Sequence, residues 1–301
     1  MVQKYYSNGK LLLTGEYAIL DGAVGLAVPT KYGQTLEFSY SNTDSLLWKS
    51  YDADKTLWFE VEYALTLEHT RTTNDKEKAT ILLKILKKAK ELNPAFLKTS
   101  QGIVVETHLS FPRNWGLGTS STLVNNIAQW AKIDAFELLS KTLGGSGYDI
   151  ACAQNFQPIL YQLDLGQPKI IPVLFNPEFK KRLFFVYLNK KQDSREAIAN
   201  YRQQRFNKQE LLSKVNTITQ HMLEAKTIEE LESHIIEHEQ VLANVLGQSP
   251  IKRKFPDYFG AIKSLGAWGG DFILVTGNEK TPDYFKAKGF ATVISYEDMV
   301  I

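Results

Sequence analysis

Apolar and polar residues partly alternate along the first third of the chain. Residues 35–40 and 57–63 combine this alternation with aromatic side chains, which is typical of half-buried β-strands. A short apolar run at residues 11–13 and a further segment at residues 102–109 also read as strands. The N-terminal part of the chain is therefore predicted to be rich in β-structure.

Helical spacing of apolar residues first appears at residues 75–92, where one apolar stripe is accompanied by lysines that lie largely off it. Other helices are predicted at residues 119–132, from 134, from 148, and at 195–204, 209–224 and 228–246. Later strands are predicted at residues 158–163, 183–188, 272–276 and 291–295. Because strands and helices come in blocks, the predicted fold class is α+β in two lobes, residues 1–160 and residues 161–301.

Composition narrows the functional class. The 301 residues are 44% hydrophobic and 23% charged, which supports globular cores, and the net charge of +2 creates no strongly basic field for nucleic acid. The chain contains one cysteine and no apolar stretch near the ~20 residues of a membrane span. We expect a cytoplasmic protein that binds neither nucleic acid nor membrane. A monomer and a homodimer both remain open.

The segment from Pro112 to Thr122 carries the strongest local signal. Gly116 and Gly118 let the backbone approach a ligand closely, and the hydroxyl residues Thr119, Ser120 and Ser121 follow where a helix should start. A helix N-terminus of this kind favours phosphate, and hydroxyl groups can add a Mg²⁺ contact. The segment lacks the lysine of a Walker A loop. An ordinary loop with a hydroxyl N-cap explains it equally well.

Three further segments are weak signals when each is taken alone. Residues 144–151 place Asp149 at a helix start after three glycines, residues 266–271 form a glycine-rich turn before a strand, and residues 8–17 place Lys10 beside a buried strand. Each has a simple structural explanation: a helix cap, a plain turn and a solvent-facing lysine, respectively.

Two other features are interpreted as structural. His234 and His238 match an H-x-x-E-H zinc-protease pattern, but the helix that carries them has an ordinary apolar core stripe, which favours coincidence. Cys152 lies in a stretch of small residues, where a buried inert thiol is favoured over a nucleophile.

Taken together, the order and spacing of the four segments resemble the GHMP kinases, a family that includes galactokinase and the homoserine, mevalonate and phosphomevalonate kinases. Residues 8–17 resemble the first family motif, Pro112 to Thr122 the phosphate loop, and Gly266 to Asp271 the third, glycine-rich motif. Residues 147–151 suggest the GYDIA-type subgroup. The resemblance implies an N-terminal lobe like ribosomal S5 domain 2 and a C-terminal ferredoxin-like lobe, with ATP between them.

The resemblance also implies roles for individual residues. Lys10 and Asp149 would act beside the acceptor group as the catalytic pair. If the acceptor is an alcohol, Asp149 would take its proton; if the acceptor is already a phosphate, Asp149 would mainly orient the substrate and Lys10. ATP and Mg²⁺ are the implied cofactors, and a small molecule is the implied partner. The residues implied to hold ATP phosphates are Gly116, Leu117, Gly118, Thr119, Ser120 and Ser121. The residues implied to contact the acceptor are Glu16, Tyr17, Ser194, Arg195, Gly269 and Gly270. Ser121 and Glu137 are the implied Mg²⁺ contacts.

Within the family, the segments around Glu16, Asp149 and Asp271 are most similar to phosphomevalonate kinases. The implied reaction is phosphoryl transfer from ATP to phosphomevalonate or mevalonate, in isoprenoid precursor synthesis. Trp268 replaces a small residue of the third motif, and the segment that leads to Gly144 is short. A GHMP-fold ligand-binding protein without catalysis is therefore an alternative, and a kinase of another small alcohol, a sugar or an amino-acid alcohol, is a second.

Overall fold

The computed structural model describes residues 2–192 and 194–301, which form twelve β-strands and nine α-helices. The strands are β1 (Gln3–Leu12), β2 (Gly25–Ser41), β3 (Ser45–Tyr51), β4 (Leu57–Ala64), β5 (Thr70–Thr73), β6 (Gly102–Leu109), β7 (Ile159–Asp164), β8 (Gln167–Pro172), β9 (Leu183–Tyr187), β10 (Ile262–Ser264), β11 (Phe272–Thr276) and β12 (Val293–Ser295). The helices are α1 (Lys76–Leu92), α2 (Thr119–Ala131), α3 (Ala135–Thr142), α4 (Tyr148–Gln154), α5 (Ser194–Gln203), α6 (Lys208–Glu224), α7 (Ile228–Leu246), α8 (Thr281–Ala287) and α9 (Tyr296–Met299). The predicted α+β class is confirmed.

The strands form a large mixed sheet and a smaller antiparallel sheet. The large sheet has the order β5-β4-β3-β6-β2-β7-β8, and β1 pairs with β2. Its strands β3 and β6 are parallel, while the other pairs in that order are antiparallel. The small sheet has the order β10-β11-β9-β12.

The chain divides into two compact units that are not contiguous in sequence. The first contains the chain up to Gly9, Tyr32–Arg113 and Leu117–Gln154; the second contains the described residues of Lys10–Lys31, Asn114–Gly116 and Asn155–Ile301. The predicted lobes, residues 1–160 and 161–301, are contiguous, and they stay a prediction.

In the described residues of the first unit, a hydrophobic core lies between the strands and helices α1 to α3. Trp48 and Tyr63 from the strands and Leu86 and Leu138 from the helices are completely buried. Burying a large apolar side chain contributes about 1.5–3 kcal/mol, so these contacts hold the helices on the sheet. Helix α1 begins where the Asp75 carboxylate accepts from the Lys78 amide at 3.0 Å, which is a typical N-cap.

The second unit has its own cores. Strand β9 is apolar throughout and buried along its length, as its uninterrupted apolar sequence predicts. Helices α6 and α7 pack together beside the first-motif loop, where Tyr17, Leu211 and Leu242 belong to one cluster. The predicted capping box at the start of α7 is confirmed, since Thr227 and Glu230 bond reciprocally to the backbone. In the part of the chain that the structure describes, each helix is too short or too polar to cross a membrane.

Candidate functional site

The predicted phosphate loop leads directly into helix α2. Gly116 and Gly118 have φ values of 70° and 91°, a backbone region that favours glycine. Regular helical bonding starts with the Thr122 amide, which donates to the Gly118 carbonyl at 2.9 Å. The amides just before it are the first-turn donors of a helix, which lack intrahelical partners. The loop therefore presents a helix N-terminus, which is suited to an anion.

The six predicted phosphate-binding residues differ in exposure. Leu117 is completely buried, so its side chain anchors the loop. Thr119 and Ser121 are half-buried, and Ser120 is exposed. The next hydroxyl, that of Thr122, donates to Gln34 Oε1 at 2.8 Å inside the protein. The hydroxyl residues open to a ligand are thus the three that the sequence predicts.

The start of the loop is held by Arg113. Its guanidinium Nε donates to Asp52 Oδ2 at 2.6 Å, and it lies over the Trp58 ring at 4.4 Å from the ring centroid. An ion pair combined with a cation–π contact restrains both orientation and position. Further along, the Asn114 carbonyl accepts from the Tyr187 hydroxyl at 2.9 Å. These bonds fix the backbone on which Gly116 sits.

Gly116 is also in close contact with the carboxylate of Asp271. A Cβ atom at Gly116 would lie 2.5 Å from Asp271 Cγ and 2.6 Å from Oδ2. A side chain at position 116 would therefore require the Asp271 carboxylate to move. Glycine is therefore favoured at position 116 by the close contact with Asp271 as well as by the positive φ.

Lys10 lies in β1, next to the buried residues Leu11 and Leu12, and is itself half-buried. Burial raises the pKa of the Asp271 carboxyl, and the positive charge of Lys10 lowers it again. The predicted catalytic lysine therefore interacts electrostatically with the carboxylate that touches the phosphate loop.

Glu16 and Tyr17, predicted acceptor contacts, are both buried. The Glu16 carboxylate accepts from the ammonium of Lys263, and both side chains are fully enclosed. The Tyr17 ring stacks on Tyr201 at 5.3 Å between centroids, and its φ is 63°. Burial, and then the charge of Glu16, raises the pKa of the Tyr17 hydroxyl. Their predicted contact with an acceptor stays a prediction.

A second buried carboxylate completes this polar cluster. Glu239 accepts from the Ser264 amide and hydroxyl at 2.9 and 2.8 Å and from the Ile251 amide at 3.0 Å. Glu239 therefore holds the residue after Lys263 in place.

Of the two histidines in the H-x-x-E-H pattern, His238 has a structural role. Its Nε2 accepts a hydrogen bond from the Gly15 amide at 3.1 Å, and the ring is completely buried. Burial lowers the pKa of His238 well below its usual range, and Lys263 adds to this effect. The histidine is a neutral acceptor that holds the first-motif loop. Within the described residues no group of three potential metal-binding side chains is found.

Asp149 lies in the first turn of α4 and is half-buried. The chain reaches it through Gly144, Gly145 and Gly147, whose φ values are 70°, 113° and 87°. Three glycines with positive φ make the sharp turn that the sequence predicts before this helix. The predicted role of Asp149 as base stays a prediction.

The third motif has an unusual backbone. Trp268 has a φ of 41° and is 2% exposed, and its indole nitrogen finds no hydrogen-bond acceptor among the described residues. A bulky side chain at positive φ is a backbone outlier. Gly269 is exposed, whereas Gly270 is buried, and a Cβ on it would lie 2.6 Å from the Lys190 carbonyl oxygen.

The remaining predicted residues lie on helices. Arg195 is exposed on α5, and Ser194 begins that helix, although its side chain and all of Asp193 lie outside the described part of the chain. Glu137 lies on α3 and pairs with Lys141 at 2.6 Å. The backbone amide of Glu137 donates to the capping side chain of Asp134.

Two residues of these clusters, Asp271 and Lys263, were not predicted from the sequence to belong to any site. Asp271 was recognised only as a subgroup feature, although its place directly after two glycines of a motif was a usable signal. Lys263 carries no such signal, because a lone lysine in a short strand gives no indication of burial.

Comparison with known proteins adds the fold. No family model matches the chain, and no curated protein matches it in sequence. Solved structures do match. Streptococcus pneumoniae phosphomevalonate kinase in complex with phosphomevalonate and AMPPNP is 17% identical, and the match covers 97% of this chain and 99% of that chain with a TM-score of 0.71. Methanococcus jannaschii mevalonate kinase is 15% identical, and the match covers 96% of this chain and 94% of that chain with a TM-score of 0.70. Lactococcus lactis galactokinase complexed with galactose is 13% identical, and the match covers 100% of this chain and 93% of that chain with a TM-score of 0.68. All are GHMP kinases, so the chain has the GHMP kinase fold implied by its motifs.

Proposed function

We propose that the protein is an ATP-dependent small-molecule kinase. The observation that carries this proposal is the loop from Pro112 to Gly118. It leads into a thirteen-residue helix that starts with four hydroxyl residues, of which Thr119, Ser120 and Ser121 are open to a ligand, and it meets Asp271 at Gly116. A helix N-terminus with free first-turn amides favours the phosphates of ATP. The fold, which is that of known kinases, supports the same proposal.

The residues of the loop fit a nucleotide phosphate chain. Gly116, Leu117 and Gly118 would offer backbone amides, and Thr119, Ser120 and Ser121 would add amides and hydroxyl donors. Mg²⁺ is bound in many phosphoryl-transfer sites by one or two side chains together with substrate phosphates, so a three-carboxylate cluster is not required. When bound, Mg²⁺ would neutralise charge on the phosphates.

Ser121 and Glu137 are the proposed Mg²⁺ contacts. Ser121 fits by its position in the first turn of α2. Glu137 is bound to Lys141, so it would have to leave that ion pair to contact a metal ion. A Glu137→Gln variant, compared with wild type in a Mg²⁺ titration of activity, tests the second assignment.

The proposed reaction is direct transfer. A bond forms between the acceptor oxygen and the γ-phosphorus of ATP, the bond from that phosphorus to the β–γ bridging oxygen breaks, and ADP leaves. For an alcohol acceptor such as mevalonate, Asp149 is proposed to receive the proton of the hydroxyl group. For phosphomevalonate, whose acceptor oxygen belongs to a phosphate, Asp149 is proposed to orient the substrate and Lys10. Lys10 is proposed to stabilise negative charge on the transferring group. Positioning and charge stabilisation account for most of the rate in reactions of this kind.

Phosphomevalonate or mevalonate is the proposed acceptor. The motif similarities around Glu16, Asp149 and Asp271 favour it, and Ser194, Arg195, Gly269 and Gly270 are its proposed further contacts. An exposed arginine such as Arg195 could pair with a substrate phosphate. The likeness to galactokinase keeps a sugar kinase as an alternative outcome.

The test is ATP consumption with Mg²⁺ against mevalonate, phosphomevalonate, homoserine and galactose, with the mass of each product measured. Transfer to one acceptor supports the kinase and names its substrate. Asp149→Asn and Lys10→Ala are expected to lower kcat by at least 100-fold while the far-ultraviolet circular dichroism stays unchanged. Near-normal turnover in both variants contradicts the proposed catalytic roles.

A second candidate function is ligand binding without catalysis. The observation that favours it is Trp268, which fills the same apolar cluster as the predicted acceptor contact Tyr17. Binding of ATP–Mg²⁺ measured by calorimetry, without transfer to any acceptor of the panel, supports this candidate.

A further inference from the structure

Two aromatic side chains of the small sheet lie beside the segment that leads into the phosphate loop. Tyr187, the last residue of β9, and Phe272, the first of β11, are direct partners in the antiparallel pair, so their side chains project from the same face of the sheet. Both are buried, and their ring centroids are 5.5 Å apart. The two rings therefore form one apolar surface at this end of the sheet.

Trp115 packs on this aromatic surface. Residues 114–116 belong to the same compact unit as the two strands. The Trp115 ring meets Phe272 edge to face, at 5.5 Å between centroids and an interplanar angle of 89°, and lies 6.4 Å from the ring of Tyr187. Edge-to-face contact is a favoured geometry for aromatic pairs. The side chain of Trp115 is therefore oriented by two residues of the sheet.

The hydroxyl group of Tyr187 adds a polar contact to the same segment. It donates to the Asn114 carbonyl at 2.9 Å. Burial, and then the negative charge of Asp271, raises the pKa of the Tyr187 hydroxyl, so the group stays protonated and can donate at neutral pH. The side chain of Asn114 is exposed. The bond from Tyr187 therefore restrains a backbone that its own side chain does not anchor.

The next residues of the loop depend on such restraint. Gly116 and Gly118 both have positive φ, and glycine has more backbone freedom than any other residue. The direction of the amides that follow Gly116 is therefore sensitive to the position of residues 114 and 115.

We propose that Tyr187 is a positioning residue of the nucleotide site, whose hydroxyl, together with the aromatic surface under Trp115, holds residues 114–116 so that the amides after Gly116 face the ATP phosphates. This inference rests on the proposed kinase function. The small sheet, which contains none of the residues predicted to contact ATP, thereby contributes to ATP binding.

The test is Tyr187→Phe in the full-length protein, which removes the hydroxyl and keeps the ring. Tyr296→Phe is the matched control. Tyr296 is a buried tyrosine of the same unit, it donates to the backbone carbonyl of Phe175 at 2.7 Å, and its ring stacks on Phe185. Both variants therefore lose the same kind of hydrogen bond. The Kd for ATP–Mg²⁺ is measured by calorimetry, and Tm is measured for each protein.

Tyr187→Phe should raise the Kd for ATP–Mg²⁺ about three- to tenfold, the range that corresponds to the loss of one neutral hydrogen bond. Tyr296→Phe should leave the Kd within about twofold of wild type, while Tm falls by a similar amount in both variants. A purely structural role for Tyr187 lowers Tm without changing the Kd. Trp115→Leu, which removes the ring from the aromatic surface, should also raise the Kd, and it carries the test if Tyr187→Phe does not fold.

A Kd within about twofold of wild type in Tyr187→Phe overturns the positioning role. An equal rise of the Kd in Tyr296→Phe also overturns it, since a general loss of stability then explains the effect. A wild-type protein that does not bind ATP–Mg²⁺ overturns the proposed function and the positioning role together. A wild type that binds ATP–Mg²⁺ without transferring phosphate overturns only the kinase, and the Kd values of the variants then decide the role of Tyr187.

Discussion

The ammonium of Lys263 donates a hydrogen bond to the carboxylate of Glu16, and neither side chain is exposed to solvent. Lys263 also donates to the Ser264 carbonyl at 2.9 Å. The pair joins the first-motif loop to strand β10 across 247 residues of sequence. Because removal of one partner leaves an uncompensated buried charge, this pair has a large effect on stability.

Lys263→Met is expected to lower the free energy of unfolding by about 3–5 kcal/mol, since Glu16 is left buried without its positively charged partner. Equilibrium unfolding in urea at pH 7.5 measures this. The double variant Glu16→Gln with Lys263→Met should be more stable than Lys263→Met alone, because both charges are gone. If the double variant is less stable than Lys263→Met alone, the importance of the ion pair is contradicted.

His238 predicts a loss of stability in mild acid. Burial lowers the pKa of His238 in the folded protein, so below the ordinary pKa of about 6.5 the unfolded chain binds a proton that the folded protein excludes. Stability is therefore lost as the pH falls through 6.5, at up to about 1.4 kcal/mol per pH unit.

The comparison is between wild type and His238→Gln, which keeps an acceptor for the Gly15 amide, unfolded in urea at pH 7.5, 6.5 and 5.5. Burial raises the pKa of the neighbouring Glu16 while Lys263 lowers it, so Glu16 also contributes to the pH dependence of both proteins. The stability difference should change in favour of His238→Gln as the pH falls. The exposed His69, changed to Gln, is the control and should leave the wild-type slope unaltered.

Gly116→Ala should impair both stability and nucleotide binding. The added Cβ meets the Asp271 carboxylate, and the φ of 70° disfavours alanine by about 1 kcal/mol. Gly247→Ala is the matched control, since its φ is 63° and a Cβ there has no atom within 4 Å among the described residues.

We expect Gly116→Ala to raise the Kd for ATP–Mg²⁺ at least tenfold by calorimetry and to lower Tm more than Gly247→Ala does. The control should lower Tm slightly and leave the Kd within twofold. Equal effects of the two substitutions would mean that the Asp271 contact has no cost beyond backbone strain.

Trp268 and Trp48 provide a matched pair of buried indoles. Trp48 Nε1 donates to Ser50 Oγ at 3.1 Å, whereas Trp268 Nε1 finds no acceptor in the part of the chain described. A buried donor without a partner costs about 1–3 kcal/mol. Trp268→Phe removes that donor, so it should destabilise the protein by about 1–2 kcal/mol less than Trp48→Phe, as measured by urea unfolding.

The sequence could predict those parts of the protein that depend on local patterns. Apolar spacing predicted helices α1, α6 and α7 closely, because amphipathic helices of this length repeat their pattern several times. The glycines around residues 116, 144 and 269 indicated turns in the sequence, since a backbone with positive φ strongly favours glycine. Strands β5, β8 and β10 were not predicted, because polar or charged residues interrupt the apolar runs by which strands of similar length, such as β9 and β11, were recognised.

The sequence by itself determined the α+β class, the order of the motifs and the hydroxyl residues that follow the phosphate loop. Only the tertiary structure decided which of these side chains meet. Glu16 is bonded to Lys263, Gly116 accommodates Asp271, and His238 holds Gly15, over separations that no local pattern encodes. The physical reason is that burial and electrostatic partnership depend on the packing of distant segments, whereas the conformation of a turn or helix depends on its own residues.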